Sequence, residues 1–247
     1  KELNSTENWE PQNYNEKFSG PLRLREGLAK SKNLVAIRVL KNIGPEYAQD
    51  YISRFGFDPK KHQPYLSMAL GVGEVTAMEM VSAYSVFANG GYLKKPYFID
   101  KIIDSQGRKV KLSSALMNAE VPRIIDPRNA FIMTNMLKEV INSGTARKAK
   151  RLKRNDIAGK TGTTNNLIDA WFAGYNPDIV TVTWMGFPQP KPLGDKETGS
   201  RAALPIWIDY MEPILEDYPI KMLVEPEGIL PLKVKESDGT LAGPNEP

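Results

Sequence analysis

The chain of 247 residues has no cysteine and only one histidine, His62. Thiol nucleophiles and disulfides are therefore excluded, and the usual zinc ligand sets cannot be assembled. His62 lies in Pro59-Lys60-Lys61-His62-Gln63-Pro64, which reads as an exposed polar loop with no catalytic role. Proton transfer must then fall to Lys, Asp, Glu or Tyr. Long hydrophobic runs are missing too. None approaches the roughly 18 apolar residues that a membrane-spanning helix needs, and no signal peptide is recognisable. Excess charge of either sign is small, with a net of +4. The local exception is Arg147-Lys148-Ala149-Lys150-Arg151-Leu152-Lys153-Arg154. It reads either as a solvated loop or as a contact for an anionic polymer, a membrane surface or an acidic partner. No aromatics are interleaved with these cations, so single-stranded nucleic acid is not an expected partner.

Hydrophobic residues make up 41% and charged residues 25%, the balance of a well-cored globule. The length suits one large domain or two small ones. Residues 6–20 read as an ordered loop. Pro21 opens a helix over about 22–30, and Ser31-Lys32-Asn33 interrupts it. A second helix over 34–42 places Val35, Val39 and Leu40 on one face. A third runs through Tyr47 and Tyr51 to Phe55. Thr76 caps a helix to Asn89 whose inner stripe is Met78, Val81, Tyr84, Ser85 and Ala88. Residues 96–104 and 108–112 flank Ser105-Gln106-Gly107 as a hairpin. Asp126-Pro127 starts a strong helix with Phe131, Met136, Leu137 and Val140 on its apolar side. Strands follow at 157–159, 169–175 and 179–187, joined so briefly that they must be antiparallel. A last helix covers about 202–215, and the proline-rich tail holds one short strand near 232–235. Helices first and antiparallel strands later give an α+β fold, an antiparallel sheet flanked by helices.

Asp156-Ile157-Ala158-Gly159-Lys160-Thr161-Gly162-Thr163-Thr164-Asn165 has the chemistry of a site. An apolar strand runs into small residues and places one cation among hydroxyls. Glycines on both sides of Lys160 allow an extended peptide to pair with the strand edge. The ammonium and the hydroxyls of Thr161 and Thr163 can then hold its terminal carboxylate. A phosphate-binding loop, G-x-x-x-x-G-K-S/T, does not fit, because its first glycine would fall at Arg154. The other reading is a structural strand with an exposed lysine. Ser31 and Asn33, two apart at a helix break, either cap helices or project into a cleft.

Ser31-Lys32-Asn33, followed far downstream by Lys160-Thr161-Gly162, matches two of the three motifs of serine penicillin-recognising enzymes, S-x-N and K-T-G. The wider sequence resembles the transpeptidase domain of class A, bifunctional penicillin-binding proteins. The likeness includes Trp9-Glu10-Pro11, Leu24-Arg25-Glu26-Gly27-Leu28, Phe87-Ala88-Asn89-Gly90-Gly91, Asp169-Ala170-Trp171-Phe172 and Glu197-Thr198-Gly199. It covers about residues 9 to 215. The third motif, S-x-x-K, is missing, because no serine here has lysine three residues later.

The resemblance implies a D,D-peptidase-like fold with a helical subdomain, incomplete at its N-terminal side. It implies a transpeptidase domain over 1–215 and a C-terminal extension over 216–247. The nucleophilic serine, with a glycosyltransferase domain, would lie before Lys1. Ser31 would relay a proton to the leaving nitrogen, and Asn33 would hold the donor's amide and orient the neighbouring lysine. Lys160 would set the local field and attract the donor carboxylate, which Thr161 and Thr163 bind through their hydroxyls. The backbone N–H of Thr163 would serve the oxyanion hole, and Gly162 and Thr164 would complete the substrate-binding strand. Trp171 and its aromatic neighbours read as core. The implied partners are peptidoglycan stem peptides and β-lactams, on the periplasmic face of the inner membrane, with an anchor outside these residues. No cofactor or metal is called for. Two alternatives stay open: a carboxypeptidase or β-lactamase using water as acceptor, and a non-catalytic β-lactam-binding or scaffold module.

Overall fold

The computed structural model describes residues 9–110, 121–235 and 238–243. The helices are α1 (Leu24–Ala29), α2 (Asn33–Ile43), α3 (Pro45–Ser53), α4 (Ala77–Ala88), α5 (Pro127–Asn142) and α6 (Leu204–Glu216). A two-stranded ribbon pairs β1 (Ile102–Ile103) with β2 (Lys109–Val110). A second sheet has the order β3 (Ala158–Thr163), β4 (Ala170–Tyr175), β5 (Val180–Met185), antiparallel throughout. This is the expected α+β architecture, and the lysine strand β3 lies at a sheet edge.

The register sorts the sheet's two faces, because successive side chains alternate. Gly162, Trp171 and Trp184 are cross-strand neighbours, as are Lys160, Ala173 and Val182. Tyr175 shares this face and packs against Tyr84 of α4, while bonding Thr134 of α5 at 2.8 Å. On the opposite face Phe172 meets Trp207 of α6 edge to face, with ring centroids 5.0 Å apart. Phe172, Trp207, Leu204 and Met211 are fully buried there. α6 thus covers this sheet face at β4 and β5. The other is only partly covered by α4 and α5 and opens into a cleft.

Several expectations shift in detail. In α2 the residues withdrawn from solvent are Ile37 and Leu40, whereas Val39 is exposed. Val35 instead packs over Gly27 of α1, so the covered face is turned toward that neighbour. In α4 the buried residues are Ala83, Val86 and Ala88, and Met78 is exposed. Met78 lies in the helix's first turn. Thr76 does cap α4, in a capping box with Glu79. Asp126 caps α5 through the N–H of Arg128. The hairpin exists but is short, and residues 111–120, including Leu112 of the expected strand, lie outside the described residues. The tail strand reduces to one bridge, Val234 with Leu241.

The basic run is not a uniform solvated loop. It forms a 3-10 turn over Arg147–Leu152 that buries Ala149. Arg151 pairs with Asp209 and Glu212 of α6. Arg154 folds inward and binds both oxygens of Asp156, at 2.9 and 2.7 Å, and the carbonyls of Leu215, Tyr218 and Pro219. This clamp ties the end of α6 and the tail to the base of β3.

Candidate active site

Ser31 occupies the break between α1 and α2 with φ of +51°. Its N–H bonds the carbonyl of Leu28, and that of Lys32 bonds the carbonyl of Gly27. Those two bonds form a Schellman ending to α1, with Ser31 at the left-handed position that usually takes glycine. A side chain there carries a steric cost, and such strain collects at functional sites. Neither Ser31 nor Asn33 caps a helix through its side chain, because Lys32 holds the N-cap position of α2 and no side-chain cap bond is made. Asn13 of the leading loop instead accepts from the N–H of Leu34 at 3.3 Å.

Lys160 Nζ donates to Ser31 Oγ at 2.8 Å and to the carbonyl oxygen of Thr161 at 3.0 Å. The two side chains come from positions 129 apart in sequence. Burial in the cleft wall pushes the lysine down to about 8, since desolvation disfavours the charged form. Tyr84, also in the cleft wall, is pushed up to about 12 by burial and stays protonated at neutral pH. Lys160 is therefore much the better placed of the two to exchange a proton near neutral pH.

The cleft has a volume of about 940 Å³. One wall is the open sheet face with Lys160, Gly162, Trp171 and Trp184. The other is formed by residues 68–77 and α4. Trp171 and Trp184 are tilted neighbours with centroids 6.0 Å apart, and Trp184 Nε1 donates to Asp169. Trp171 is therefore a cleft residue and not core, because the pleat sends it to the face opposite buried Phe172. His62 also departs from expectation. It is half-buried in the cleft wall, edge-on to Phe57. A Cβ on Gly73 would lie 1.9 Å from its Nδ1. The 3-10 turn Pro59–Lys61 turns the ring inward, held by Gln49 donating to the carbonyls of Pro59 and His62.

The remaining site candidates divide. Thr161, Gly162, Thr163 and Thr164 all border the cleft. The hydroxyl of Thr161 bonds that of Thr145 at 2.7 Å. Thr163 Oγ1 accepts the N–H of Gly199 at 3.0 Å. Thr164 Oγ1 accepts from Ile168 and Asp169 and so closes the β3–β4 turn. Asn33 donates to the carbonyl of Gln12 at 2.9 Å, and no bond joins it to Lys160 among the described residues. The cationic edge strand thus lines the cleft, and Lys160 reaches from it to the polar helix break at Ser31, which is not itself among the lining residues.

Comparison with known proteins shows the family. Residues 1–212 match the family model described as the penicillin binding protein transpeptidase domain. The chain belongs to that family. Penicillin-binding protein 1A of Neisseria lactamica is 49% identical over 223 residues, which are 90% of this chain and 28% of the relative. Its counterpart from Pseudomonas aeruginosa is 41% identical over 97% of this chain and 35% of its own. The crystal structure of penicillin-binding protein 1A from Haemophilus influenzae superposes with a TM-score of 0.90 at 32% identity, covering 97% of this chain and 41% of that one. The chain therefore spans about a third of the length of its curated relatives. Within this transpeptidase family member, sequence reasoning missed Thr145, Tyr84, Trp184 and residues 68–73 of the facing wall. Alternation along β4 already carried the signal for Trp171, since it and Phe172 cannot share a face. Nothing local marked Thr145, whose partner is 16 positions away.

Proposed function

We propose that this chain forms the lysine side of a peptidoglycan D,D-transpeptidase site, with its nucleophilic serine in a segment preceding Lys1. The observation that carries the reading is the 2.8 Å contact between Ser31 Oγ and the Nζ of Lys160, a residue of the cleft wall. In the proposed reaction the serine Oγ attacks the carbonyl between the two terminal D-alanines of a stem peptide. Its proton passes to the lysine of its own S-x-x-K motif. The C–N bond breaks, and the leaving D-alanine nitrogen takes a proton from the Ser31 hydroxyl, which Lys160 replenishes. An amine of a second stem then attacks the acyl ester. The amine loses a proton as the serine regains one, and the proton held by the S-x-x-K lysine returns to Lys160. An alcohol needs such a base, and a second lysine nearby would lower the pKa of Lys160 further by like charge.

β-Lactams would acylate the same serine as mimics of the donor. The complete protein would act at the periplasmic face of the inner membrane, anchored and joined to a glycosyltransferase domain outside these residues. Labelled penicillin followed by peptide mass mapping tests the reading. The complete protein is expected to carry a stable penicilloyl group on a serine before Lys1, and residues 1–247 alone to carry none. A penicilloyl serine within 1–247, or no adduct on the complete protein, would overturn it. Rapid turnover of the adduct would point instead to a β-lactamase.

A further inference from the structure

Thr145 touches both halves of the site. Its backbone N–H donates to the carbonyl of Ala29 at 3.1 Å, two residues before Ser31. Its hydroxyl lies 2.7 Å from that of Thr161, next to Lys160. The preceding residue has to be glycine, because a Cβ at Gly144 would meet the carbonyl oxygen of Ala29 at 2.2 Å and Val140 Cα at 2.8 Å. The turn after α5 thus seats directly on the end of α1 and reaches across to β3.

A carboxylate accepts hydrogen bonds and donates none, so a hydroxyl that binds it must spend its one proton on it. Thr163 is already arranged for this. The N–H of Gly199 can only donate, and it takes an acceptor position on Thr163 Oγ1, which leaves the Thr163 proton free. Thr161 has no backbone donor of that kind among its described bonds. It has Thr145, a partner able to donate or accept.

We propose that Thr145 is a positioning residue that sets Thr161 as a hydrogen-bond donor to the substrate carboxylate. The proposal rests on the transpeptidase reading of the cleft. In the empty site the proton between the two hydroxyls can run either way. When a carboxylate arrives, Thr145 donates to Thr161, and Thr161 donates to the anion. A chain of donors of this kind polarises along its length. The same residue holds Ala29, so the carboxylate site and the Ser31 break share one brace.

The test compares second-order acylation of the complete protein by benzylpenicillin and by its methyl ester, whose carboxylate is masked. Thr145→Val is expected to slow the acid about fivefold, the scale of one hydrogen bond, and to leave the ester rate unchanged. Thr145→Ser is expected to restore the acid rate. Thr145→Ala, read the same way, serves if the valine variant does not fold. An unchanged acid rate, or acid and ester falling together, overturns the proposal. Wild-type protein that acylates acid and ester equally would overturn the carboxylate-binding reading itself, and the two failures are thus told apart.

Discussion

In the proposed reaction Lys160 would do two things that conflict in water and agree in this cleft. It would attract a carboxylate, which favours the ammonium, and it would yield a proton near neutrality, which favours the amine. Burial resolves the conflict by bringing its pKa to about 8, so about one molecule in ten is neutral there at pH 7. The sign for stability follows. Between about 8 and the ordinary lysine value of 10.5, the unfolded chain holds more protons than the folded one, and stability rises with pH. The cost of burying the ammonium is fully present below pH 8. Titration of the lysine side chains by NMR with Nζ labelling is expected to show one midpoint near 8 that vanishes in Lys160→Gln. Ser31→Ala removes an acceptor that favours the charged form and should move that midpoint lower. A Lys160 midpoint near 10.5 would mean that the cleft does not desolvate it. The Ser31 and Lys160 pairing was legible in sequence only through the order of two triplets. The turn of Asn33 toward Gln12 was not, because it depends on a loop 21 residues away.

Secondary structure was more legible than packing. Caps at Thr76 and Asp126 and the three antiparallel strands follow from local chemistry, and the structure has them. What local chemistry does not carry is which face of each element meets a neighbour. Val39, Met78 and Trp171 were assigned inward and lie outward or in the cleft, because α1, α4 and the sheet decide those faces through tertiary contacts. The basic run shows the same limit, since charge pattern alone cannot single out Arg154 from its neighbours. Its side chain is 9% exposed and that of Asp156 is fully buried. Arg154→Ala would strand a buried carboxylate and uncap three carbonyls. A loss of about 3–5 kcal/mol is expected in urea unfolding, whereas Lys153→Ala, at an exposed position, should stay within about 0.5 kcal/mol. Equal effects of the two substitutions would show that the clamp does not hold the tail to β3.

At the scale of the molecule, α6 covers one sheet face at β4 and β5, and the other face opens into the cleft. The edge strand lines that opening, and Lys160 reaches from it to the helix break at Ser31. That arrangement brings together two segments 129 positions apart in sequence. If they act as one unit, their contributions to acylation must not be independent, because residues serving a single proton path are lost together. The most direct measurement is a double-mutant cycle on penicillin acylation in the complete protein, with Ser31→Ala, Lys160→Ala and both. The account expects each single substitution to slow acylation by about a hundredfold or more, and the double to be little slower than the worse single. Losses that simply multiply would contradict it, since they would mean that Ser31 and Lys160 act separately.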